Sequence, residues 1–290
     1  MITVIGSINM DLAVVMDTFP NQGETVLGQA FSTIPGGKGA NQAIASAKLG
    51  SDVQFIGCVG KDRFGEQLTN NLQHYQIDIT GIHQVDAPTG VANILIHKHD
   101  NRIVVIPGAN AALTTQQIDA HWHKIAQSKL VIMQLEISEA VVAYVLDKCK
   151  QAKIKVLLNP APAQHFSLDW MEHLAYMTPN ESECEQIFQK PYEQVVAMYP
   201  NKVIVTLGSK GACYHDGQKL VAIEGYQADV VDTTGAGDTF NGALAHALMN
   251  ESSLADAVYF ANIAASLSVE KFGAQGGMPT VAEVQQRMKQ

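Results

Sequence analysis

The segment that most constrains the fold runs Asp-Thr-Thr-Gly-Ala-Gly-Asp-Thr-Phe-Asn, from Asp232 to Asn241. Two valines at 230–231 precede it and are typical of the end of a strand. Apolar residues follow at helical spacing, so the sequence predicts a helix that starts near Gly237 or Asp238. The glycines in the turn, Gly235 and Gly237, allow the backbone to approach a ligand closely.

This turn places a carboxylate beside an anion site. Free backbone amides at a helix start bind anions, and the helix dipole adds positive potential there. Asp238 would repel a phosphate, which makes its position unusual. The carboxylate and the amides together suit phosphoryl transfer. Asp238 would act as a general base that takes a proton from a hydroxyl, while the amides hold the phosphoryl group that this hydroxyl attacks. A plain glycine-rich helix start capped by Asp238 is the alternative that this segment alone leaves open.

Size and charge exclude several classes of protein. A chain of 290 residues suits one large α/β domain, and no Pro- or Ser-rich linker divides it. The net charge of −9 argues against a nucleic-acid-binding protein, which needs a basic face. No apolar run is long enough to span a membrane. Scattered cysteines and an amino terminus without a signal peptide predict reduced thiols in a cytoplasmic protein.

A second glycine-rich loop, Pro35 to Asn41, enters another predicted helix. It is not a Walker A motif, because Lys38 is followed by Gly39 instead of Ser or Thr. The dinucleotide fingerprint is also missing after the first strand, which argues against an NAD-dependent oxidoreductase. We interpret the loop as backbone that closes over a small polar ligand, with Lys38 and Asn41 as donors. A flexible helix entry is the alternative.

Strands and helices alternate regularly after Asn110, and this order predicts a parallel sheet with right-handed crossovers. Ligands bind beyond the carboxyl ends of the strands in such sheets. Polar motifs at four predicted strand ends share this position: Gln134–Glu136, Asn159–Pro160, Asn180–Glu183 and Thr206–Ser209. Together with the Asp232–Asp238 turn, they predict one cleft.

Short strand-like segments near residues 8–34 and 89–106 predict a small sheet that is separate from the main sheet. In the later segment, Thr89–His97 and Arg102–Ile106 alternate like a hairpin, with Asp100-Asn101 at its turn. His97 and His99 would share a strand face. Two candidate ligands do not make a metal site, so none is expected there.

With these motifs placed, nearly the whole chain resembles the ribokinase-like family of carbohydrate kinases. The general family signatures are Gly36–Asn41 and Asp232–Asp238, which occur in the expected order. Asn9–Asp11, Met133–Glu136 and Asn159–Ala163 match the ribose-phosphorylating branch. The resemblance implies a three-layer αβα sandwich around a mostly parallel sheet, in a single domain over residues 1–290. It also implies that the segments near 8–34 and 89–106 form a β-sheet lid, which makes the contact of a homodimer.

The activity implied by the resemblance is transfer of the γ-phosphoryl group of ATP to the 5-hydroxyl of D-ribose. Asp238 would be the catalytic base, and the amides of Gly235, Ala236 and Gly237 would form the anion hole. The residues implied in sugar binding are Asn9, Asp11, Gly37, Lys38, Asn41, Glu136 and Asp238. Those implied in nucleotide binding are Asn180, Glu183, Thr206, Gly208, Gly211, Gly237 and Asn262.

The resemblance also implies two kinds of cation. Mg²⁺ would accompany ATP, with Glu183 acting on it through water. A monovalent cation, usually K⁺, would activate the enzyme near the anion hole. Its implied ligands are the carboxylate of Asp232 and the backbone carbonyls of Thr234, Val269, Phe272 and Ala274. The chain departs from the family pattern at Gly277, where relatives can offer a serine hydroxyl, so the strength of the potassium response stays open.

Other acceptors and one other class of function also stay open. A phosphorylated sugar would need extra cationic side chains, and only Lys38 is evident near the sugar motifs. A nucleoside such as adenosine would need an apolar or aromatic pocket, and none is obvious. Asp11 suits neighbouring 2- and 3-hydroxyls, because a carboxylate accepts from both, and this weakens the case for deoxyribose. A non-catalytic sugar or nucleotide sensor is disfavoured because Asp238 and its glycine turn are intact.

Overall fold

A computed structural model describes residues 1–98 and 100–289 of the chain. Its main sheet is parallel, with the strand order β10-β9-β8-β1-β4-β5. The strands are β1 (Ile2–Ile5), β4 (Val53–Gly60), β5 (Asp78–Val85), β8 (Leu130–Met133), β9 (Lys155–Leu158) and β10 (Tyr176–Met177). This arrangement confirms the predicted parallel α/β architecture, although β5 was not predicted.

Helices cover both faces of this sheet. They are α1 (Lys38–Lys48), α2 (Arg63–His74), α3 (Thr115–Ile125), α4 (Glu139–Ala152), α5 (Glu181–Phe188), α6 (Tyr192–Met198), α7 (Ala236–Met249), α8 (Leu254–Ser268) and α9 (Val281–Arg287). Side chains alternate along each strand. Ile132 therefore packs in the core with α1, α2, α7 and α8, whereas its neighbours Val131 and Met133 pack in the core with α3 and α4. The result is the three-layer αβα sandwich predicted from the sequence.

A second sheet is formed by the segments predicted for the lid. Its order is β3-β2-β6-β7, with β2 (Asn9–Met16), β3 (Gly28–Gly36), β6 (Gly90–His97) and β7 (Asp100–Ile106). β2 pairs antiparallel to β3 and parallel to β6. Because β1 ends at Ile5 and β2 begins at Asn9, this sheet joins the main body at the carboxyl end of β1. The fold thus places it above the edge where ligands bind.

The predicted turn of the β6–β7 hairpin was wrong. His97 pairs with Asp100 and Ile96 pairs with Asn101, so both predicted turn residues belong to β7. The reversal falls earlier, beside Lys98, whose φ of 53° is a left-handed conformation. His99, the second histidine of the disfavoured metal site, lies outside the described residues.

A third, three-stranded sheet is antiparallel and consists of β11 (Val205–Thr206), β12 (Ala212–His215) and β13 (Leu220–Ile223). The strand predicted to end at Val230 and Val231 was wrong. Both residues lie in an irregular segment with 63% of their surface exposed. Their apolar character therefore reflects no buried strand, and the chain reaches Asp232 as a loop.

The described helices include none that is long and apolar enough to cross a membrane. The cysteines are Cys58, Cys149, Cys184 and Cys213, and all are buried and free of disulfides. Burial raises the pKa of the Cys149 thiol to about 12. These thiols are structural, as buried cysteines behave like small apolar side chains.

Candidate active site

The packing of α1 against α7 brings the two glycine-rich motifs together. At Gly242 in α7 a side chain would fall 2.6 Å from the Cβ of Ala45 in α1, so only glycine allows this approach. Ser46 in α1 also donates a hydrogen bond to the carbonyl of Gly242 over 3.2 Å. Each helix begins at its motif, at Lys38 and Ala236. The helix starts therefore meet at the carboxyl edge of the main sheet.

A cavity of about 630 Å³ opens at this meeting point. It is lined by all the residues predicted to bind sugar, which are Asn9, Asp11, Gly37, Lys38, Asn41, Glu136 and Asp238. Apolar side chains of the second sheet form another wall, among them Ile94 and Ile103. The cavity therefore has polar groups on one side and an apolar cover on the other, as small-molecule sites commonly have.

Strand β2 and the loop before α1 fix the first polar groups. Asn9 is 3% exposed, and its Oδ1 accepts a hydrogen bond from Asn110 Nδ2 at 2.7 Å. Gly37 has a φ of 90°, and a side chain there would fall 2.7 Å from the backbone nitrogen of Asn9. Glycine is required on both counts, because that φ and that contact disfavour every other residue. The loop can thus lie directly on β2.

Charged groups crowd the floor of the cavity. Burial, together with the carboxylates of Glu136 and Asp238, raises the pKa of Asp11 to about 7, while Lys38 opposes this rise. Burial also raises the pKa of Glu136, which accepts hydrogen bonds from the Ser7 hydroxyl and, over 3.3 Å, from the backbone amide of Lys38. For Lys38, burial lowers the pKa, but the surrounding carboxylates outweigh it and raise the pKa overall. One ammonium therefore offsets several carboxylates.

Asp238 is buried in the first turn of α7, with 8% of its surface exposed. Its Oδ2 accepts a hydrogen bond from Asn41 Nδ2 at 2.9 Å, and its Oδ1 accepts one from Gln42 Nε2 at 3.0 Å. Each carboxylate oxygen has a second lone pair. Asp238 is thus held by neutral donors and can still accept a proton from a hydroxyl in the cavity.

Backbone amides of the predicted anion hole lie beside this carboxylate. Gly235 precedes α7 with a φ of 78°, and a side chain there would fall 2.7 Å from the Cβ of Ala274. Gly237 is exposed, and the space beside its Cα is open. The Ala236 amide already donates to the carbonyl of Thr233 over 3.2 Å, so the amides of Gly235 and Gly237 are the ones more readily available to an anion. The helix dipole favours negative charge there.

Asp232 ties this turn to the loop after α8. It accepts hydrogen bonds from the backbone amides of Thr234 and Gly273, both at 2.9 Å. Despite partial burial, these bonds and one from the Thr234 hydroxyl lower the pKa of Asp232. Among the predicted cation ligands, Val269 presents a carbonyl that already accepts hydrogen bonds from the amides of Val231 and Asp232. An ionised carboxylate therefore lies among the carbonyls predicted to hold a monovalent cation.

Gly277 also lies against the end of α8. A side chain at this position would overlap the backbone oxygen of Ser268, far inside any normal contact distance. Overlaps of that kind are not tolerated, so the backbone here admits glycine alone unless it shifts. The absence of a serine hydroxyl is therefore built into the local path of the chain.

Apart from Gly237 at the start of α7, the predicted nucleotide-binding residues lie in or beside the third sheet or at the start of α5, and none of the set lines the 630 Å³ cavity. Asn180 and Glu183 form a reciprocal capping box at the start of α5. Gly208 and Gly211 have φ of 58° and 95° in the turn between β11 and β12, next to Thr206. Asn262 is 6% exposed, and its Nδ2 donates to the carbonyl of Ile223 at 3.0 Å. None of these residues therefore lines the cavity that contains the sugar set, although Lys38 and Asp238 are close enough to Glu183 for their charges to affect its pKa.

Several buried amides of the site were not predicted. Gln42, Asn110 and Gln275 each contact a predicted residue and are 0%, 1% and 7% exposed. The position of Gln42 directly after the Gly36–Asn41 motif was a usable signal. Gln275 lies among small residues of an irregular loop, and a single sequence gives no reason to select it.

A model of the pfkB family of carbohydrate kinases matches residues 1–281. The chain belongs to this family. Among its relatives, the ribokinase of Lactococcus lactis is 46% identical over 291 residues, which cover 100% of this chain and 97% of that protein. Membership of the pfkB family establishes the predicted enzyme class, an ATP-dependent sugar kinase.

Solved structures of ribokinases share the fold. The ribokinase of Thermotoga maritima has a TM-score of 0.92 and 36% identity, and the alignment covers 100% of this chain and 99% of that one. The ribokinase of Arabidopsis thaliana, solved in complex with ribose and ATP, has a TM-score of 0.91 and 31% identity, with 100% and 98% covered. The chain therefore has the complete ribokinase-like fold.

Proposed function

We propose that this protein transfers the γ-phosphoryl group of ATP to the 5-hydroxyl of D-ribose, giving D-ribose 5-phosphate and ADP. The observation that carries the proposal is the position of Asp238. Its side chain lines the cavity that contains every predicted sugar-binding residue, and its backbone belongs to the first turn of α7. The relatives named above support ribose as the acceptor.

Asp238 acts as the general base. It takes the proton of the sugar hydroxyl as the oxygen attacks the γ-phosphorus, and the bond from that phosphorus to the β,γ-bridging oxygen of ATP breaks. The amides of Gly235, Ala236 and Gly237 hold the phosphoryl oxygens. Phosphoryl transfer depends mainly on positioning and charge stabilisation, which this helix start supplies.

The floor of the cavity selects the acceptor. Asp11 accepts hydrogen bonds from the neighbouring 2- and 3-hydroxyls, while Asn9, Lys38, Asn41 and Glu136 position the remaining hydroxyls. Lys38 is the one lysine or arginine among the cavity-lining residues, and several carboxylates surround it. An acceptor that already carries a phosphate would be repelled there.

ATP binds on the other side of the α7 start. Thr206, Gly208 and Gly211 form its loop, Asn262 lies beside the base, and Asn180 with Glu183 faces the phosphates. The capping bond of Glu183 uses Oε2, so Oε1 is the oxygen offered to hydrated Mg²⁺. Mg²⁺ supplies charge neutralisation of the phosphates, and its preference for oxygen ligands and retained waters fits this carboxylate.

A monovalent cation activates the enzyme from the loop after α8. The donor set is the ionised Asp232 with the carbonyls of Thr234, Phe272 and Ala274, which suits a hard cation. The Val269 carbonyl is the least available member, because two amides already donate to it. Without a hydroxyl at Gly277, we expect a weak potassium response.

The second sheet acts as a lid and as the contact of a homodimer. Its strands supply an apolar cavity wall, and much of its other surface is also apolar and exposed, including Phe31 at 65% and Val104 at 59%. Exposed apolar surface of this kind marks protein interfaces.

The test is an acceptor panel. ADP release is measured with magnesium and ATP, offering D-ribose, 2-deoxyribose, adenosine and fructose 1-phosphate, with and without potassium. A kcat/KM for D-ribose at least about tenfold above every other acceptor supports the proposal. Preference for another acceptor overturns the ribose assignment, and ATP and sugar binding without turnover points to a sensor.

A further inference from the structure

A continuous chain of side-chain amides runs into Asp238 from outside the cavity. Asn71 in α2 donates from Nδ2 to Gln275 Oε1 at 2.8 Å. Gln275 Nε2 donates to Asn41 Oδ1 at 2.9 Å, and Asn41 Nδ2 donates to Asp238 Oδ2 at 2.9 Å. The chain links α2, the loop after α8, α1 and α7 through three hydrogen bonds of ordinary length.

The direction of every bond in this chain follows from the carboxylate. A carboxylate can only accept, so Asn41 turns its Nδ2 toward Asp238 and its Oδ1 away. Gln275 must then offer Nε2 to that oxygen, which turns its own Oε1 toward Asn71. Each amide has one orientation that satisfies both neighbours, and a flip of any amide would oppose two acceptors or two donors.

The other oxygen of Asp238 is fixed in the same way. Gln42 Nε2 donates to Asp238 Oδ1 at 3.0 Å, and Gln42 Oε1 accepts from Gln134 Nε2 at 2.7 Å. Gln42 Nε2 also lies 3.2 Å from Asn159 Oδ1, and Asn159 donates to the backbone carbonyl of Thr178 at 3.1 Å. The backbone directly after β10 thus anchors the Gln42 side of Asp238, whereas Gln275, on a loop, anchors the Asn41 side.

Gln275 does not touch the cavity. It is 7% exposed and is absent from the residues that line the 630 Å³ space. Its loop also contacts the Asp232–Asp238 turn directly, because the Gly273 amide donates to Asp232 at 2.9 Å. The loop is therefore bonded directly to Asp232 and, through Asn41, to Asp238.

We propose that Gln275 is a positioning residue for the general base. It fixes the amide of Asn41 and, through it, the plane of the Asp238 carboxylate. This inference rests on the proposed role of Asp238. Loss of this support leaves the sugar in place but misaligns the base, so it lowers kcat more than it changes KM. Misplacement of a catalytic group by about 1 Å costs up to roughly 100-fold in rate.

The first test uses Gln275→Met, which keeps the length of the side chain and removes both hydrogen bonds. We expect kcat to fall about 10- to 100-fold, with KM for D-ribose changed less than about threefold. The matched control is Gln73→Met on the exposed face of α2, which should leave both constants unchanged. An unchanged kcat for Gln275→Met, or a raised KM alone, overturns the proposal.

A reversal of polarity gives the second test. Gln275→Glu can only accept, so Asn41 must turn its Nδ2 toward the new carboxylate and its Oδ1 toward Asp238. Two acceptors then face each other at the base, and kcat should fall further than in Gln275→Met. Equal activity of the two variants contradicts the proposed chain of orientations.

A double-mutant cycle separates positioning from general damage. In an Asp238→Asn background, Gln275→Met should lower kcat less than about twofold, because the base through which it acts is gone. An equal loss in both backgrounds overturns the inference and leaves Asp238 as the base. High activity of Asp238→Asn alone would instead overturn the proposed function.

Folding is checked by thermal unfolding of every variant. If Gln275→Met fails to fold, Asn71→Ala replaces it, because it removes the partner that orients Gln275 from a helical position. It should lower kcat about 3- to 10-fold in the Asp238 background and leave Asp238→Asn unaffected. A loss of the same size in both backgrounds contradicts the proposal.

Discussion

Asn41 donates its side-chain amide to the carboxylate of Asp238 over 2.9 Å, although 197 positions separate the two residues. Asn41 ends one glycine-rich motif and Asp238 ends the other. The bond unites them in one site and couples the residue predicted to hold the sugar to the residue predicted to activate it. Changes to either should therefore affect the same step.

Asp238→Asn should lower kcat by at least about 100-fold, because a general base contributes roughly 10²- to 10⁴-fold. D-ribose should still bind, since Asn9, Asp11 and Glu136 remain. Steady-state ADP release and calorimetric titration of D-ribose measure the two quantities. A variant that keeps most of its turnover would remove Asp238 from the mechanism.

The meeting of the two motifs could be predicted from sequence, because strand ends of a parallel sheet and helix starts converge on one edge. Gln275 could not, because its contact with Asn41 depends on the path of an irregular loop. The strand predicted at 230–231 failed for a related reason. Apolar residues form a strand only where a neighbouring strand is available for pairing. Val230 and Val231 pair with no strand that the structure describes and are exposed instead.

The capping box of Asn180 and Glu183 shows a different limit of sequence reasoning. The Asn-x-x-Glu spacing fits both a helix start and a phosphate site, and the structure satisfies the first completely. A functional role for this pair stays a prediction. In contrast, Asp11 in β2 forms no comparable capping interaction. Its raised pKa should be detectable as a pH dependence of sugar binding.

The pKa of about 7 for Asp11 predicts a pH dependence of sugar binding. The ionised carboxylate accepts two hydroxyl hydrogens, so protonation below pH 7 should raise KM for D-ribose about tenfold per pH unit. Asp11→Asn should abolish the rise of KM below pH 7 and have a high KM that does not change with pH. Initial rates between about pH 5.5 and 8.5 in a constant-ionic-strength buffer measure it. A pH-independent KM in the unmodified protein would contradict the assignment.

The same group makes a prediction about stability. Its pKa in the folded protein lies above the ordinary value of 3.8, so the folded state binds the proton more tightly than the unfolded state. Stability should therefore fall as pH rises from about 4 to about 7. Asp11→Asn should raise the unfolding temperature at pH 8 and have little effect at pH 4. The gain is at most about 4 kcal/mol, since each pKa unit corresponds to about 1.4 kcal/mol.

Gly37→Ala should destabilise the protein and damage the site, because its Cβ would fall 2.7 Å from the backbone of Asn9 at a φ of 90°. Gly50→Ala is a matched control. Gly50 has a φ of 93°, and a Cβ added there would have no atom within 4 Å, so it reports the cost of the backbone conformation alone. We expect a loss of about 1 kcal/mol for Gly50→Ala.

The loss for Gly37→Ala should be larger by about 1–3 kcal/mol, as for other overpacked positions. Chemical denaturation measures both variants, and D-ribose titration measures the site. Sugar binding should weaken in Gly37→Ala and stay unchanged in Gly50→Ala. Equal stability losses in the two variants would show that the contact with Asn9 does not constrain the loop.

The outer face of the second sheet provides the test of the homodimer. Val104 in β7 is 59% exposed, and a lysine there would place a charge inside an apolar contact. The unmodified protein should have twice the 31.3 kDa chain mass by light scattering, and Val104→Lys should move it to the chain mass at low micromolar concentration. Met198→Lys, at a 51% exposed position of α6 away from this sheet, should remain a dimer.

Activity links this test to the lid. β7 pairs with β6, and Val105 beside Val104 lines the cavity. A sheet that loses its partner should cover the cavity less firmly, so KM for D-ribose should rise in Val104→Lys while the unfolding temperature stays close to that of Met198→Lys. A monomeric unmodified protein would contradict the proposed dimer. A Val104→Lys variant that dissociates but keeps its KM for D-ribose would show that sugar binding does not depend on dimer formation.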